Sequence, residues 1–181
     1  VYVATVLDIT QKPTVQNLVY NGEEQTGVNV PPKTDTYYTI TGTKKATQAN
    51  TAYAQDSENY SGYTAKVELE PGYALYHSNT YYVAATPLNL YWRIEPKEAA
   101  ASDFVVDTST PLTTTYNEKC HGVTVTVAAK YKAHSENWDG KLEVQYKAEG
   151  GKWTNAKPTD AGTYQLQVRI ANGANFAAGY V

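Results

Sequence analysis

Alternation of apolar and polar side chains with a period of two is the feature that most limits the fold of this chain. Four segments carry it most clearly: Leu88–Ile94, Val123–Val127, Leu142–Tyr146 and Tyr164–Ile170. This alternation predicts strands with one buried face and one face in water. Turn sequences rich in Asn, Asp, Pro and Gly separate these segments. Almost no segment of the chain has the period of a helix. We therefore expect an all-β protein whose many short strands pack as sandwiches.

An internal repeat predicts two domains. The 181 residues leave room for two modules of about 90 residues each. Four residues recur at one offset of 101 positions (164 − 63): Tyr63, Val67, Leu69 and Gly72 recur as Tyr164, Val168, Ile170 and Gly173. We predict divergent copies at 1–98 and 99–181, joined near Glu98–Ser102. Insertions near 50–61 and 73–85 distinguish the first copy.

The two copies differ in how they close. The first ends on the strong strand pattern of Leu88–Ile94, whereas the second reaches Val181 soon after Asn175-Phe176. We expect the second module to lack its closing strand. The chain starts with Val1 and not with Met, which we interpret as a mature or excised fragment.

Charge and cysteine content limit the possible partners. The chain has 15 Lys and Arg against 18 Asp and Glu, a net charge of −3. This balance argues against a nucleic-acid partner, which needs concentrated positive charge. No apolar run approaches the roughly 20 residues that span a bilayer, so we expect no membrane insertion. The lone Cys120 cannot form an intrachain disulfide.

Motifs for catalysis or for metal binding are missing from the sequence. The three histidines are far apart and none has a metal-ligand spacing. Cys120 and His121 are neighbours, and neighbours in a strand point to opposite faces, so they would not form a nucleophile and base pair. No calcium loop, phosphate loop or nucleophile elbow occurs. We expect no enzyme, no metal and no cofactor.

One motif resembles the immunoglobulin fold. The segment Asp160-Ala-Gly-Thr-Tyr164 has the Asp-x-Gly-x-Tyr form that precedes the penultimate strand of immunoglobulin-type sandwiches. The resemblance implies structural roles for Asp160, Gly162 and Tyr164. The Tyr164 hydroxyl would bond back to the backbone at a corner. Its ring would lie buried beside Leu166, which stands where antibody domains have a cysteine.

The second half resembles, more specifically, the immunoglobulin-like tandem repeats of bacterial cell-surface and adhesin proteins, common in gut Firmicutes and Bacteroidetes. Three pieces carry this: Tyr116–His121, Pro158–Tyr164 and Gly173–Phe176. The first half resembles a sister repeat through Leu18–Gln25 and Gly62–Leu69. The resemblance implies two tandem immunoglobulin-like β-sandwich modules, an extracellular place on a bacterial cell surface, and neighbouring repeats of the same parent chain.

Tyrosines and one tryptophan are the candidate binding residues. The chain has 17 Tyr, and four lie close together within the second insertion: Tyr73, Tyr76, Tyr81 and Tyr82. Tyrosine-rich loops suit protein binding, because the ring loses little entropy and has a polar tip. The alternative is an ordinary strand pair with wet tyrosine faces. Trp138, beside the Asp139-Gly140 turn, is either an anchor for a partner or a ring folded over the sandwich end.

The function predicted from these features is a non-enzymatic module that binds a host macromolecule. A host protein is favoured, with immunoglobulin, bound outside its antigen site, as a candidate. A mucin or other host glycoprotein, recognised through its glycans, is an alternative. Passive stalk repeats of an adhesin are another alternative, although the two copies have diverged more than simple spacers tend to do.

Overall fold

The computed structural model describes residues 3–50, 62–109, 112–132, 141–171 and 173–181. This part of the chain is all-β, as predicted. It contains sixteen short strands, one four-residue α-helix, α1 (Ala129–Lys132), and two single turns of 3₁₀ helix, Ile9–Gln11 and Ala101–Asp103. The strands form several small sheets of two or three strands each.

The chain divides into two compact units. The first comprises Val1–Tyr20 and Glu24–Glu95, and the second comprises Asn21–Glu23 and Pro96–Val181. The main division falls between Glu95 and Pro96. The short segment Asn21–Glu23 groups with the second unit.

The first unit contains strands β1 to β12. Their bounds are β1 Thr5–Val6, β2 Thr14–Val15, β3 Leu18–Val19, β4 Gln25–Thr26, β5 Val28–Asn29, β6 Tyr38–Gly42, β7 Lys45–Ala46, β8 Tyr63–Leu69, β9 Tyr73–His77, β10 Thr80–Tyr82, β11 Leu88–Trp92 and β12 Ile94–Glu95. The second unit contains the remaining four. These are β13 Phe104–Val106, β14 Val125–Val127, β15 Lys141–Ala148 and β16 Tyr164–Ala171.

The core of the first unit lies on the antiparallel sheet β6–β8–β11. Its central strand, β8, pairs over five positions with β6 and over five with β11. Alternate side chains of β8 are buried, Ala65, Val67 and Leu69 among them. The alternation read from the sequence therefore buries one face of the sheet and leaves the other wetter.

Parallel pairs join distant parts of the first unit. Strand β3 pairs in parallel with β12, with Leu18 opposite Ile94, and β1 pairs in parallel with β9. The small antiparallel pairs β2–β5 and β4–β7 lie between β1 and β9 in sequence. Most of these pairings are remote along the chain, so they depend on tertiary structure rather than on hairpin turns.

The buried Trp92 lies against a glycine. Trp92 is 2% exposed, its ring lies 4.6 Å from that of Tyr63, and its Nε1–H donates to the carbonyl of Thr43 at 2.8 Å. Gly27 also lies beside this ring, and a Cβ at that position would come within 1.9 Å of the indole. A side chain at residue 27 and an indole at residue 92 thus exclude one another.

The second unit is built around the hairpin of β15 and β16. These strands pair over eight positions, from Lys141 opposite Ala171 to Ala148 opposite Tyr164. Other pairings in this unit include β13 with β14, Lys97 in parallel with Phe176, and Tyr146 antiparallel with Thr154. The apolar faces of β15 and β16 bury Tyr146, Val168 and Ile170.

The period-two segments match the strands with one shortfall. Strands β11, β15 and β16 cover most of the predicted alternating segments, and β12 includes Ile94. The segment Val123–Val127 forms a strand only from Val125 onward, because the Val123 N–H donates to the Tyr146 hydroxyl instead of to a neighbouring strand. The predicted insertion at 50–61 lies, beyond Asn50, outside the described residues.

Candidate functional site

The second predicted insertion is a β-hairpin. Strands β9 and β10 pair antiparallel, with His77 opposite Thr80 at the closed end. The two loop residues, Ser78 and Asn79, have φ angles of 47° and 64°. Positive φ at both central residues defines a type I′ turn, whose twist matches that of the flanking strands. The turn therefore holds the hairpin in one register.

Two of the candidate tyrosines form a pair on the exposed face of this hairpin. Tyr76 and Tyr81 lie directly opposite one another, with ring centroids 4.7 Å apart. They are 40% and 60% exposed, so much of both rings lies in solvent. The Tyr76 hydroxyl donates to Asn79 Oδ1 at 3.2 Å. The pair and the turn thus support each other.

The other two candidate tyrosines lie on the opposite face. Tyr82 pairs with the buried Leu75 and is half-buried. Tyr73 is also half-buried, and its ring lies 5.0 Å from the ring of Tyr37. The hairpin therefore brings together Tyr76 and Tyr81 and directs Tyr73 and Tyr82 toward packing, as the alternation of strand faces requires.

Two further residues border the exposed pair. Val6 of β1 is opposite Ala74, the position two before Tyr76 on the same face of β9, and Val6 is exposed. The Lys12 ammonium donates to the Tyr76 carbonyl at 3.0 Å and lies 6.0 Å from the Tyr76 ring centroid. We call Val6, Lys12, Tyr76 and Tyr81 the hairpin surface. It combines apolar area, hydroxyl tips and one positive charge.

The second predicted anchor, Trp138, lies outside the described residues together with its Asp139-Gly140 turn. An aromatic residue that the sequence did not single out, Trp153, is exposed in the second unit, with the Lys147 ammonium 5.0 Å from its ring centroid. In the sequence, its position soon after the Gly150-Gly151 turn is what indicates that Trp153 could be exposed.

The corner motif has the predicted hydrogen bond but not the predicted burial. The Tyr164 hydroxyl donates to the backbone carbonyl of Asp160 at 3.1 Å. Asp160 and Gly162 are exposed, and Tyr164 is half-buried. The prediction that Tyr164 is buried is therefore wrong. Leu166, which was expected to cover the ring, is itself only half-buried.

This exposure sets the expected effect of removing the Tyr164 hydroxyl. We expect Tyr164→Phe to lower the free energy of unfolding by about 0.5 kcal/mol, at the low end for a hydrogen bond, because water replaces the partner. The matched variant Tyr63→Phe removes the bond from Tyr63 to the Gln48 carbonyl, which is partly buried, and should cost about 1 kcal/mol. Urea unfolding of both variants measures the difference, and an equal or reversed order would contradict it.

The neighbours Cys120 and His121 differ in their contacts. Cys120 is exposed, and His121 Nε2 lies 2.8 Å from Asn117 Oδ1. Both residues lie outside the strands, so the argument from opposite strand faces does not apply. Among the described residues, no group of three or more His, Cys, Asp or Glu side chains is placed to hold a metal ion.

A buried carboxylate was missed by the sequence analysis. Asp103 is 2% exposed, accepts the Tyr131 hydroxyl at 2.8 Å and the Ala100 N–H at 2.9 Å, and pairs with the Lys97 ammonium. Burial by itself raises the pKa of this carboxyl. The hydrogen bonds from Lys97, Tyr131 and Ala100 and the charge of Lys97 outweigh burial, so the pKa of Asp103 lies below its ordinary value. Asp103 thus has both the hydrogen-bond donors and the opposite charge that a buried carboxylate in a structural role needs.

No protein-family model, no curated protein and no solved structure matches the chain. The contacts of its own residues therefore carry the functional argument. In the described ranges, no helix has both the length and the apolar character to cross a membrane.

Proposed function

We propose that this chain is a non-enzymatic binding module of a bacterial surface protein, and that it engages a host protein through the hairpin surface. The observation that carries the proposal is the exposed Tyr76–Tyr81 pair on a hairpin whose register is fixed by a type I′ turn. The proposal includes two immunoglobulin-like sandwiches and a place on the bacterial cell surface.

The strand order of the first unit supports the immunoglobulin-like part of the proposal. In the sheet β6–β8–β11, the central strand β8 lies between β6, which precedes it in sequence, and β11, which follows it. Strands C, F and G have this order in the immunoglobulin fold. The hairpin of β9 and β10 lies between β8 and β11 in sequence, which corresponds to the F–G connection. In variable domains that connection is one of the antigen-binding loops.

The rings of Tyr76 and Tyr81 have the physical character of interface anchors. Each ring offers a large apolar area and a hydroxyl, and each loses few rotamers when a partner covers it. The contact between the two rings and the hairpin turn fix both side chains in place before binding, which lowers the entropy cost of association. A partner that covers the pair would also cover Val6, which is exposed on the same face.

The chemistry of the hairpin surface favours a protein partner over a glycan. Of its four residues only Lys12 is charged. Aromatic residues are enriched in the fully buried part of protein interfaces, whereas charged residues are depleted there. Immunoglobulin, bound outside the antigen site, is the candidate that the resemblance to bacterial surface repeats adds. With one cation at the surface and a net charge of −3, binding should depend only weakly on salt.

We expect Tyr81→Ala to weaken binding about 30-fold, which corresponds to the ~2 kcal/mol typical of an interface anchor. Tyr76→Ala should have a similar effect, because each ring packs on the other. The assay is surface binding of the immobilised chain to immunoglobulins, whole serum proteins and mucins. The matched control is Tyr116→Ala, which removes an equally exposed tyrosine from the second unit and should leave binding unchanged.

The outcomes separate the alternatives. Binding that Tyr76→Ala and Tyr81→Ala leave intact would remove the hairpin surface as the site. Binding to mucin that is lost after its glycans are removed favours the glycan alternative. A chain that binds none of these macromolecules favours the stalk alternative.

A further inference from the structure

The hairpin of β15 and β16 has a polar face opposite its apolar one. Tyr146, Val168 and Ile170 are buried on the apolar face, so the alternate side chains point the other way. These six residues form three directly opposed pairs, which we call the outer face: Glu143 with Arg169, Gln145 with Gln167, and Lys147 with Gln165. All six are half-buried or exposed, so the outer face is open to solvent in part.

Trp153 lies at one corner of the outer face. Thr154 exchanges two backbone hydrogen bonds with Tyr146, of 2.8 and 2.9 Å, so the residue before Thr154 comes beside Lys147. The Lys147 ammonium lies 5.0 Å from the centroid of the Trp153 ring. The indole is exposed, and it therefore offers a flat apolar surface to a ligand.

Tyr180 lies at the diagonally opposite corner. Its ring lies 4.5 Å from the Arg169 guanidinium, and its hydroxyl donates to Glu143 Oε2 at 3.3 Å. Arg169 Nε donates to the same oxygen at 2.7 Å, so the two charges at this end of the outer face compensate each other. Strand geometry separates the two corners by roughly 13 Å along the strands and roughly 14 Å across them. This area fits a short chain of sugars.

One positive charge on the outer face is not compensated. Among the described residues, no carboxylate pairs with the Lys147 ammonium, whose close neighbour is the indole. Charge complementarity therefore favours a ligand with an anionic group beside an apolar ring face. The chain as a whole has a net charge of −3, which disfavours a polyanion.

The two glutamines between the corners offer groups that suit hydroxyls. Gln167 Nε2 donates to Gln145 Oε1 at 2.7 Å. In the part of the chain that the structure describes, Gln145 Nε2 and Gln167 Oε1 have no other partner. A donor and an acceptor are thus free on neighbouring side chains. Because a hydroxyl both donates and accepts, neighbouring hydroxyls of a sugar match this pair.

We propose that the outer face binds an oligosaccharide with a carboxylated sugar, either a sialic acid or a hexuronic acid. The carboxylate pairs with the Lys147 ammonium, and the less polar face of the sugar ring packs on the part of the Trp153 indole that lies in solvent. Hydroxyls along the oligosaccharide bond to the two glutamines. A protein partner fits less well, because charged residues are depleted in the buried part of protein interfaces.

The test titrates the whole chain with free oligosaccharides in a calorimeter. Free oligosaccharides keep the result separate from protein binding at the hairpin surface, on which this inference does not depend. The probes are sialyllactose, trigalacturonate and neutral lactose. We expect an acidic probe to bind at least about tenfold more tightly than lactose, because it adds a hydrogen bond between charged groups. Binding of sialyllactose alone identifies a sialic acid as the ligand, and binding of trigalacturonate alone identifies a hexuronic acid.

Matched variants locate the site. Lys147→Gln removes the charge and should reduce binding of the acidic probe to the level of lactose. The control Lys152→Gln removes an equal charge from an exposed lysine next to Trp153 in sequence and should leave binding unchanged. Trp153→Ala should abolish binding of the acidic probe without lowering the melting temperature. Binding of neither acidic probe, equally tight binding of lactose, or equal losses at residues 147 and 152 would overturn the proposal.

Discussion

Gly27→Ala is expected to destabilise the first unit by about 3 kcal/mol, at the upper end for overpacking a core. The added methyl would lie within 1.9 Å of the Trp92 indole. The indole cannot easily move away, because its partly buried Nε1–H bond to the Thr43 carbonyl would be lost. Hydrogen exchange of the Val67 amide, in the centre of β8, measures this effect for the first unit alone.

A double-mutant cycle separates steric conflict from other causes. If the clash with the indole is the cause, Gly27→Ala should cost much less in a Trp92→Leu background than in the parent chain. The matched glycine control is Gly72→Ala, where a Cβ meets no atom within 4 Å but φ is +93°. It should cost only the ~1 kcal/mol of a strained backbone. Equal losses at residues 27 and 72 would contradict this account.

Asp103→Asn is expected to destabilise the second unit by about 3 kcal/mol. The change leaves the Lys97 ammonium beside a neutral amide and weakens the bonds from Tyr131 and Ala100. Removing one member of a buried ion pair generally costs more than the pair contributes, and Lys97, whose side chain is only 24% exposed, would be left partly desolvated. Hydrogen exchange of the Val127 amide reports on the second unit.

The effect should depend on pH with a defined sign. The pKa of Asp103 is lower in the folded chain than in the unfolded chain, where it is about 3.9. The unfolded state therefore binds the proton more readily, and the stabilisation is present above about pH 4. It is lost as the pH falls through the folded pKa. The stability difference between the parent and Asp103→Asn should thus be constant near neutral pH and shrink in acid.

Asp107→Asn is the matched control for the carboxylate. Asp107 accepts the Ser109 N–H in a local turn, and hydrogen bonds to Ser109 also lower its pKa, but water reaches it. This substitution should change stability much less than Asp103→Asn does. A loss at Asp107 equal to that at Asp103 would mean that burial and the Lys97 pair contribute little.

The strands could be predicted where their signal is local. Alternation over Tyr164–Ile170 and Leu142–Tyr146 specifies a strand, because successive side chains of a strand point to opposite faces. The sheets could not be predicted in the same way. Strand β3 pairs with β12, and β1 pairs with β9, although these segments are far apart in sequence. They are not joined by a hairpin turn whose sequence would predict the pairing.

The candidate site was predicted in part for the same reason. The adjacency of Tyr81 and Tyr82 requires opposite faces, but sequence alone does not say which one faces the core. Leu75 decides it, because its burial carries Tyr82 inward and leaves Tyr81 in solvent. Asp103 gave no signal, since its partners are Lys97, which lies outside the named strands, and Tyr131 from a later helix.

The parallel pair of β3 and β12 has a consequence for how the protein is made. Leu18 leaves the ribosome long before Ile94, its partner in the sheet. Until Ile94 emerges, the edge of β3 and the apolar face of β8 lack some of the neighbours that they have in the folded protein. Synthesis at roughly 5 to 20 residues per second makes that interval several seconds. During translation the first unit is therefore exposed to chaperones and to other nascent chains until Ile94 has emerged and can pair with Leu18.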